Sequence, residues 1–334
     1  MNLEYYSSLA LVTSVVVYLL ALMMHAAEWA AAGRRGLRTA DRKVELVSVG
    51  MRPELVEGRS FDELRTGSDR ISVEEPPAGD DRVSTERVEQ FGRIGLAFTL
   101  IGFLLSLAGV VLRGVAAGRA PWGNMFEFTI SAMVFIVAAY LIMVWRSDVR
   151  WLGLPVTLLA GIGNGLAVTV FYVAVAPLVP ALHSVWFVIH IVAAAIAGAA
   201  FNVGGLLSIL YLLKQRAEER GTVRGYLQMV PSVRRLDVLA YRFLAFAFPL
   251  WTFAVAAGAI WAEYAWGRYW GWDPKETWAL VTWVIYAGYL HARSTAGWRG
   301  RRAAVIALIG LASFWFNFVG INLFVSGLHS YAGI

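Results

Sequence analysis

The sequence predicts an all-α, polytopic membrane protein with about eight transmembrane helices. Of its 334 residues, 58% are hydrophobic and only 16% are charged, and the mean hydropathy is +0.60. Soluble domains usually carry about a quarter charged residues. Apolar runs of about 20 residues, the length that crosses a bilayer as a helix, recur along the chain. We expect the spans at 5–27, 94–112, 125–145, 152–174, 183–213, 243–262, 274–291 and 303–324.

The first span occupies most of 1–27. It begins with neither a basic segment nor a small-residue cleavage pattern, so we interpret it as a retained helix and not as a signal peptide. The connection 28–93 follows, and its part 34–93 holds twelve basic and thirteen acidic residues with three prolines. This composition predicts a charged, largely disordered cytosolic linker with a short helix near 60–65, a small folded domain being the alternative. The remainder, 94–334, is expected to be one membrane domain.

The distribution of positive charge predicts the orientation of the spans. Of the 29 Lys and Arg residues, 25 lie in one alternating set of connections, namely 28–93, 146–150, 214–242 and 293–302. Positively charged loops remain cytosolic, so both termini and the loop before the seventh span should be extracytoplasmic in a cell (plasma) membrane. The net charge of +6 is then a topology signal, and we do not expect a nucleic-acid partner.

The extracytoplasmic segment 261–278 is unusually rich in aromatic residues. Seven of its eighteen residues are aromatic, against 13% for the whole chain. They are Trp261, Tyr264, Trp266, Tyr269, Trp270, Trp272 and Trp278. Rings at this density beside a membrane indicate a surface for a large, flat, hydrophobic ligand.

Histidines are the candidate metal ligands, because the chain contains no cysteine. His190 lies about seven residues into the fifth span, where an uncharged or charged imidazole is costly and therefore a functional candidate. His329 follows the last span on the same, outer side. Two imidazoles near one aromatic surface match what bis-His ligation of haem iron requires.

The other three histidines have both structural and functional interpretations. His291 ends the seventh span about 27 Å below Asp273 at 1.5 Å per residue, near the cytosolic boundary. His25 ends the first span at a similar depth. His183 should head the fifth helix on the same face as His190. For His25 and His183, a hydrogen bond at a helix end is the simpler interpretation.

The run Asp273-Pro-Lys-Glu276 predicts the start of a helix. Asp at the N-cap, Pro at the first helical position and Glu at the third form a capping box, which explains the run better than catalysis does. Arg268 and Lys275 are the cations of the loop and could pair with ligand carboxylates. Asn124 and Glu127 suggest a similar cap on the third helix.

These residues resemble a known family. The run 266–278 resembles the tryptophan-rich WWD signature of haem-handling proteins, and the chain from about Gly95 onward resembles cytochrome c biogenesis proteins of the CcsA (ResC) type in the system II pathway. Further runs that carry the resemblance are Trp-Gly-Asn-Met-Phe-Glu127, Pro180-Ala-Leu-His-Ser-Val-Trp-Phe-Val-Ile-His190, Ile285-Tyr-Ala-Gly-Tyr-Leu-His-Ala-Arg293 and Gly327-Leu-His-Ser-Tyr-Ala332.

The resemblance implies transport of haem b, bound transiently as a substrate, and its attachment to apocytochrome c carrying Cys-Xaa-Xaa-Cys-His. His190 and His329 match the family's outer ligands. His291 matches an inner ligand whose partner comes from a separate ResB/CcsB-like subunit, with His25 as the weaker alternative. The WWD residues, including Trp266, Trp270, Trp272 and Asp273, would border the outer haem, and Arg268 or Lys275 could meet a propionate.

The chain is accordingly expected to form part of a holocytochrome c synthase complex, supplied with reduced thiols by a membrane thioredoxin pathway. Three alternatives remain at this point. A haem-delivery protein of the system I type shares the WWD signature. A cytochrome b-like electron carrier would pair His25 with His291. A solute transporter without haem would not explain the tryptophans and the outer histidines.

Overall fold

The computed structural model describes residues 2–50, 79–147 and 149–329, and in these ranges the chain forms helices and no strand. The longer helices are α1 (Leu3–Gly50), α2 (Gly79–Ala117), α3 (Met125–Arg146), α4 (Gly153–Thr169), α5 (Val185–Glu219), α7 (Val233–Trp266), α8 (Pro274–Ser294) and α9 (Arg301–Trp315). The short helices are α6 (Tyr226–Met229) and α10 (Ile321–Phe324), with 3₁₀ turns at Arg150–Leu152 and Pro180–Leu182. A π-turn, Phe316–Gly320, joins α9 to α10.

Seven of the described helical segments are long and apolar enough to cross a membrane. They are Leu3–Gly33, Thr85–Ala117, Met125–Arg146, Arg150–Thr169, Val185–Glu219, Val233–Trp266 and Arg301–Phe324. The all-α, polytopic membrane fold is thereby confirmed. The eighth predicted span, 274–291, is helical within α8 but is not among these seven segments, because Lys, Glu, His and Arg lower its hydropathy.

Several predicted boundaries are wrong. The fourth span ends at Thr169 and not at 174, and residues 170–184 are mostly irregular. Helices α1 and α2 both extend into the segment predicted as a disordered linker, so 28–50 and 79–93 are helical. The Ala, Arg, Leu and Glu residues of 28–50 favour helix, a preference that an argument from charge alone overlooks. The short helix expected near 60–65 lies outside the described residues.

The helices form two packed groups that meet at α3 and α5. Helix α1 packs on α2 and α4, while α5 packs on α7 and α9, and α8 packs on α7 and α9. Small residues permit the close approach of helices that membrane packing requires. At Gly204 of α5, for example, an added Cβ would lie 2.6 Å from Leu244 of α7. The two groups leave a space between α3, α5, α7 and α9 at one end of the bundle.

A buried network of ion pairs stabilises the end of the bundle where this space lies. Glu127 of α3 is fully buried and accepts hydrogen bonds from Arg113 Nε at 2.9 Å and Arg119 Nη1 at 2.7 Å. Arg113 also donates to Glu4 of α1 at 3.2 Å. Asn124 Oδ1 accepts from Glu127 N, which confirms the predicted cap of α3. The network therefore fixes the segment containing Trp122, whose side chain faces the space described above.

Candidate functional site

A cavity of about 200 Å³ lies between α3, α5, α7, α8 and the α9–α10 segment. Its wall is largely apolar, with small residues on α5 and α7 and rings from the surrounding elements. The rings are Trp122, Phe128, Phe187, Trp251, Trp261, Tyr269, Trp270, Phe314, Trp315 and Phe318. The polar side chains that line it include His190, His329, Lys275 and Glu276. Residues far apart in the sequence thus meet at one largely apolar, aromatic site.

His190 presents one defined nitrogen to this cavity. It is the sixth residue of α5, slightly nearer the helix start than expected. Its Nδ1 lies 2.7 Å from the carbonyl oxygen of Ala254 on α7. A carbonyl only accepts, so Nδ1 carries the proton and Nε2 carries the lone pair. A backbone partner at one ring nitrogen is the usual arrangement for a histidine that binds metal through the other.

Gly258 makes this hydrogen bond possible. A Cβ at that position would lie 2.8 Å from His190 Nδ1, closer than side-chain atoms pack. The absence of a side chain lets the imidazole approach the backbone of α7. This role of Gly258 is not visible in the sequence, because it depends on the packing of α5 against α7.

His329 is held by Asp273. Its Nδ1–H donates to Asp273 Oδ2 at 2.7 Å, so ligation by this residue would use Nε2. Partial burial alone would raise the pKa of the Asp273 carboxyl, but the hydrogen bonds from His329 and from the Leu328 N–H hold that pKa at about 2. The carboxylate is therefore ionised at neutral pH and favours the Nδ1–H form of the imidazole.

The predicted capping box is present and has a second role. Asp273 Oδ2 accepts from Lys275 N at 3.2 Å, and Glu276 Oε2 accepts from Asp273 N at 3.1 Å. Asp273 therefore both begins α8 and orients His329. Sequence spacing could reveal only the first role, since His329 lies 56 positions away.

Trp261 lies between the two histidines. Its ring stacks on His190 with the centroids 5.9 Å apart and meets His329 edge-on at 5.6 Å. The indole is 2% exposed and its Nε1 donates to Ala181 O at 2.7 Å. Both imidazoles therefore contact one rigid ring. Trp261 belongs to the aromatic segment 261–278, but its position between the two histidines depends on tertiary packing that the sequence does not reveal.

The three tryptophans predicted to border a ligand occupy different positions. Trp270 lines the cavity, whereas Trp266 packs against His329 with ring centroids 4.9 Å apart. Trp272 is 69% exposed, does not line the cavity, and contacts the edge of Trp270. Its backbone φ of 59° is in the left-handed region, which is unfavourable for a residue with a Cβ.

The two cations of the loop also differ. Arg268 Nη1 lies 3.4 Å from Glu276 Oε1 and does not line the cavity. Lys275 lines the cavity, and its Nζ has no hydrogen bond or ion pair among residues 2–50, 79–147 and 149–329. Of the two candidates for a ligand carboxylate, the geometry therefore favours Lys275.

The remaining histidines do not join this cavity. His183 precedes α5, whose N-cap is Ser184, and it is exposed, so the expectation that it heads the helix is wrong. His25 is fully buried, with Nδ1 3.5 Å from Glu28 and Nε2 3.3 Å from Thr99. His291 is exposed near the end of α8.

The geometry does not support a cytochrome b-like pair of His25 and His291. Both nitrogens of His25 are engaged, and Cβ atoms added at Gly95 and Gly153 would lie within 3 Å of its ring. Its ring is thus fully enclosed by the described part of the chain. Moreover, α1 packs on α2 and α4, whereas α8 packs on α7 and α9.

Comparison with known proteins identifies the family. Residues 122–329 match the model of the cytochrome C assembly protein family. Proteins named cytochrome c biogenesis protein CcsA are similar in sequence: that of Chlamydomonas reinhardtii is 37% identical over 68% of this chain and 65% of its own length. Those of Mesostigma viride and Parasynechococcus marenigrum are 34% and 36% identical, each over 73% of this chain and 87% or 88% of their own lengths. The chain therefore belongs to the cytochrome c assembly family and is a CcsA-type cytochrome c biogenesis protein.

Proposed function

We propose that this chain carries haem to the extracytoplasmic face of the membrane and holds it there for attachment to apocytochrome c. The observation that carries the proposal is the pair His190 and His329. Each has Nδ1 engaged by a separate acceptor, and both rings contact Trp261 at one cavity. Haem is the substrate, and its attachment site is the cysteine pair of the apocytochrome.

The cavity has the chemical character that a transient haem site requires. Apolar and aromatic walls suit the macrocycle, and two imidazoles suit the iron. The Lys275 side chain lines the same wall, where its amine would pair with one propionate. The positive-inside rule supports an extracytoplasmic position for this end of the bundle, because Arg and Lys concentrate in the connections at the other end.

Attachment itself requires little chemistry from this chain. Each cysteine S–H adds across a vinyl double bond, so a C–S bond forms, the hydrogen is transferred to the neighbouring vinyl carbon, and no net oxidation occurs. The chain has no cysteine of its own, and it contributes positioning and protection from water. A membrane thioredoxin pathway would keep the thiols of the apocytochrome reduced. In this sense the chain is one part of a holocytochrome c synthase.

An inner site is proposed at His291. It shares an exposed face of α8 with Val284 and Gly288, and no atom lies within 4 Å of a Cβ built at Gly288. A ResB/CcsB-like subunit that packs on this face could supply the second ligand. The enclosed position of His25 argues against the alternative inner ligand.

The relatives named CcsA support a system II assignment over a haem-delivery protein of the system I type. Genes for a ResB-like protein and a membrane thioredoxin beside this one would support it further. Purification with and without that partner, followed by absorption spectra and an assay of thioether formation, separates binding from attachment.

The outer site is tested with His190→Ala and His329→Ala. We expect each to change the spectrum of bound haem and to reduce the yield of holocytochrome c, because each removes an iron ligand. His183→Ala is the matched control, since its ring is exposed outside the cavity. If both ligand variants keep the parent spectrum and yield, the proposed outer site is wrong.

A further inference from the structure

The two proposed iron ligands of the outer site are held by different kinds of structure. His190 belongs to α5, which packs on α7, and both helices are long and apolar enough to cross a membrane. Its Nδ1 donates to a backbone carbonyl of α7, Ala254 O, at 2.7 Å. A displaced His190 ring must therefore break a hydrogen bond that the packing of two long helices maintains.

His329 lies outside the helices of the bundle. Helix α10 ends at Phe324, and residues 325–329 form no regular helix and are mostly exposed. Two hydrogen bonds join this segment to the start of α8, and both end on one carboxylate. Leu328 N donates to Asp273 Oδ1 and His329 Nδ1 donates to Asp273 Oδ2, each at 2.7 Å. A single side chain thus holds both the backbone and the imidazole of the second ligand.

The two ligands also differ in how another polypeptide can reach them. His190 lies inside a membrane-crossing segment, whereas His329 follows the last such segment, Arg301–Phe324. An irregular polypeptide does not enter hydrocarbon, because its backbone N–H and C=O groups would lose their hydrogen bonds. An acceptor polypeptide therefore approaches the cavity from the end of the bundle where His329 lies.

Attachment brings a third imidazole to this site. The Cys-Xaa-Xaa-Cys-His segment of the apocytochrome carries a histidine directly after its second cysteine, and histidine is an axial ligand of the iron in cytochromes c. Haem iron has two axial positions, so either His190 or His329 must leave before the third imidazole binds. The attachments and the direction of approach both select His329.

We propose that His329 leaves the iron when the histidine of apocytochrome c binds, while His190 remains a ligand throughout. This inference rests on the proposed function and specifies the order of events at the same site. The bond between iron and His329 Nε2 breaks, and a bond between iron and the acceptor's imidazole forms, with no transfer of electrons. The proton on His329 Nδ1 stays in place, so the imidazole leaves as a neutral group.

Asp273 is a positioning residue for this exchange. Its carboxylate makes the His329 imidazole a stronger ligand through the Nδ1–H, and its hydrogen bond from Leu328 N keeps the segment at the cavity. Loss of the charge in Asp273→Asn should therefore speed the departure of His329 and leave the bond between His190 and iron unaltered. Asparagine also caps helices well, so α8 should still form.

Carbon monoxide binding to the purified, full-length chain loaded with ferrous haem tests this order. Carbon monoxide takes the axial position of the ligand that leaves more readily, and at saturating concentration it binds at the rate at which that ligand leaves. We expect Asp273→Asn to raise this rate about tenfold over the parent. The control Glu28→Gln should leave it unchanged, because Glu28 lies beside His25. In His329→Gly the rate should rise in proportion to carbon monoxide concentration, since no ligand has to leave.

Resonance Raman spectra recorded after photolysis of the carbon monoxide identify the histidine that remains. The iron–histidine stretching frequency responds to the partner of Nδ1, which is a carboxylate for His329 and a backbone carbonyl for His190. We expect one frequency for the parent, Asp273→Asn and His329→Gly. A frequency that shifts in Asp273→Asn, or an unchanged rate of carbon monoxide binding, would overturn the inference. If Asp273→Asn does not fold, a difference in frequency between the parent and His329→Gly would overturn it.

The absorption spectrum before carbon monoxide is added separates this inference from the proposed function. If the parent lacks a bis-histidine spectrum, or if His190→Ala and His329→Ala both keep it, the outer site is wrong and the inference fails with it. If that spectrum is present and depends on both histidines, but the Raman frequency follows Asp273, only the order of exchange is wrong.

Discussion

Two histidines inside the bundle, the buried His25 and the part-buried His190, occupy contrasting environments. Both rings stand beside glycines that allow close packing, and both have a hydrogen-bond partner at Nδ1. They differ in what else they meet: Nε2 of His25 contacts Thr99, whereas the His190 side chain lines a cavity. Burial of a histidine in a membrane helix therefore does not by itself indicate a ligand. The second nitrogen distinguishes a structural histidine from a candidate metal ligand.

The largest expected loss of haem affinity comes from substitution of Gly258, the glycine beside the His190 ring. Gly258→Ala places a Cβ at 2.8 Å from His190 Nδ1, so the ring must move and the hydrogen bond to Ala254 must break. We expect about a hundredfold loss in haem affinity and a changed spectrum, as for other misplaced ligands. Absorption titration of the purified chain measures both.

Gly95→Ala is the matched control for that variant. Its Cβ would lie 2.9 Å from the His25 ring, an equally close approach. Overpacking should lower the free energy of unfolding by about 1–3 kcal/mol without changing the spectrum of bound haem. A changed haem spectrum in Gly95→Ala would contradict the structural role assigned to His25.

The carboxylates beside the histidines give the next comparison. Asp273→Asn removes the charge that holds the Nδ1–H form of His329, and we expect haem affinity to fall about tenfold. Glu28→Gln, at 3.5 Å from His25, should leave haem affinity unchanged. Matching losses in the two variants would show that the carboxylates act on overall stability and not on a ligand.

The Asp273 interaction should also resist acid. The folded-state pKa of about 2 lies below the ordinary value of 3.8, so the stabilisation is fully present above about pH 4 and is lost as the pH falls through 2. The Asp273-dependent difference in haem affinity between the parent and Asp273→Asn should therefore persist when the titration is repeated at pH 5. Loss of this difference by pH 5 would contradict a hydrogen bond between an ionised Asp273 and His329.

The loop cations are expected to differ more modestly. Lys275→Met removes the amine that lines the cavity and should reduce haem affinity about two- to fivefold, with a smaller effect on haem dimethyl ester, in which both carboxylates are blocked. Arg268→Met, whose partner is Glu276, should affect thermal stability more than haem affinity. The reverse ranking in a haem titration would assign the propionate to Arg268.

The smallest effect is expected at Trp272. Trp272→Gly relieves a left-handed backbone conformation, worth about 1 kcal/mol, and removes a side chain that is largely exposed. Thermal stability should be unchanged or slightly higher, and haem affinity of the isolated chain should be retained. A large loss of affinity would mean that Trp272 contacts haem directly.

The parts of the site that the sequence could predict are local. The capping box depends on four consecutive positions, and His190 and His329 are distinguished by their predicted depths. The roles of Gly258 and Trp261 depend on how α5 packs against α7, which no periodicity specifies. The π-turn at Asn317 is a one-residue change within an apolar run. Likewise, the apolar character of 152–174 did not reveal that α4 ends at Thr169. The β-branched residues near that end and the two later prolines disfavour helix.

The ligand role proposed for His190, in contrast to the structural role of His25, is tested most directly by chemical rescue with imidazole. His190→Gly leaves space for a free imidazole at the cavity, and we predict that adding imidazole restores the bis-histidine haem spectrum that the variant lacks. His329→Gly should behave in the same way. Retention of the parent spectrum by both variants before imidazole is added would contradict ligation by these residues.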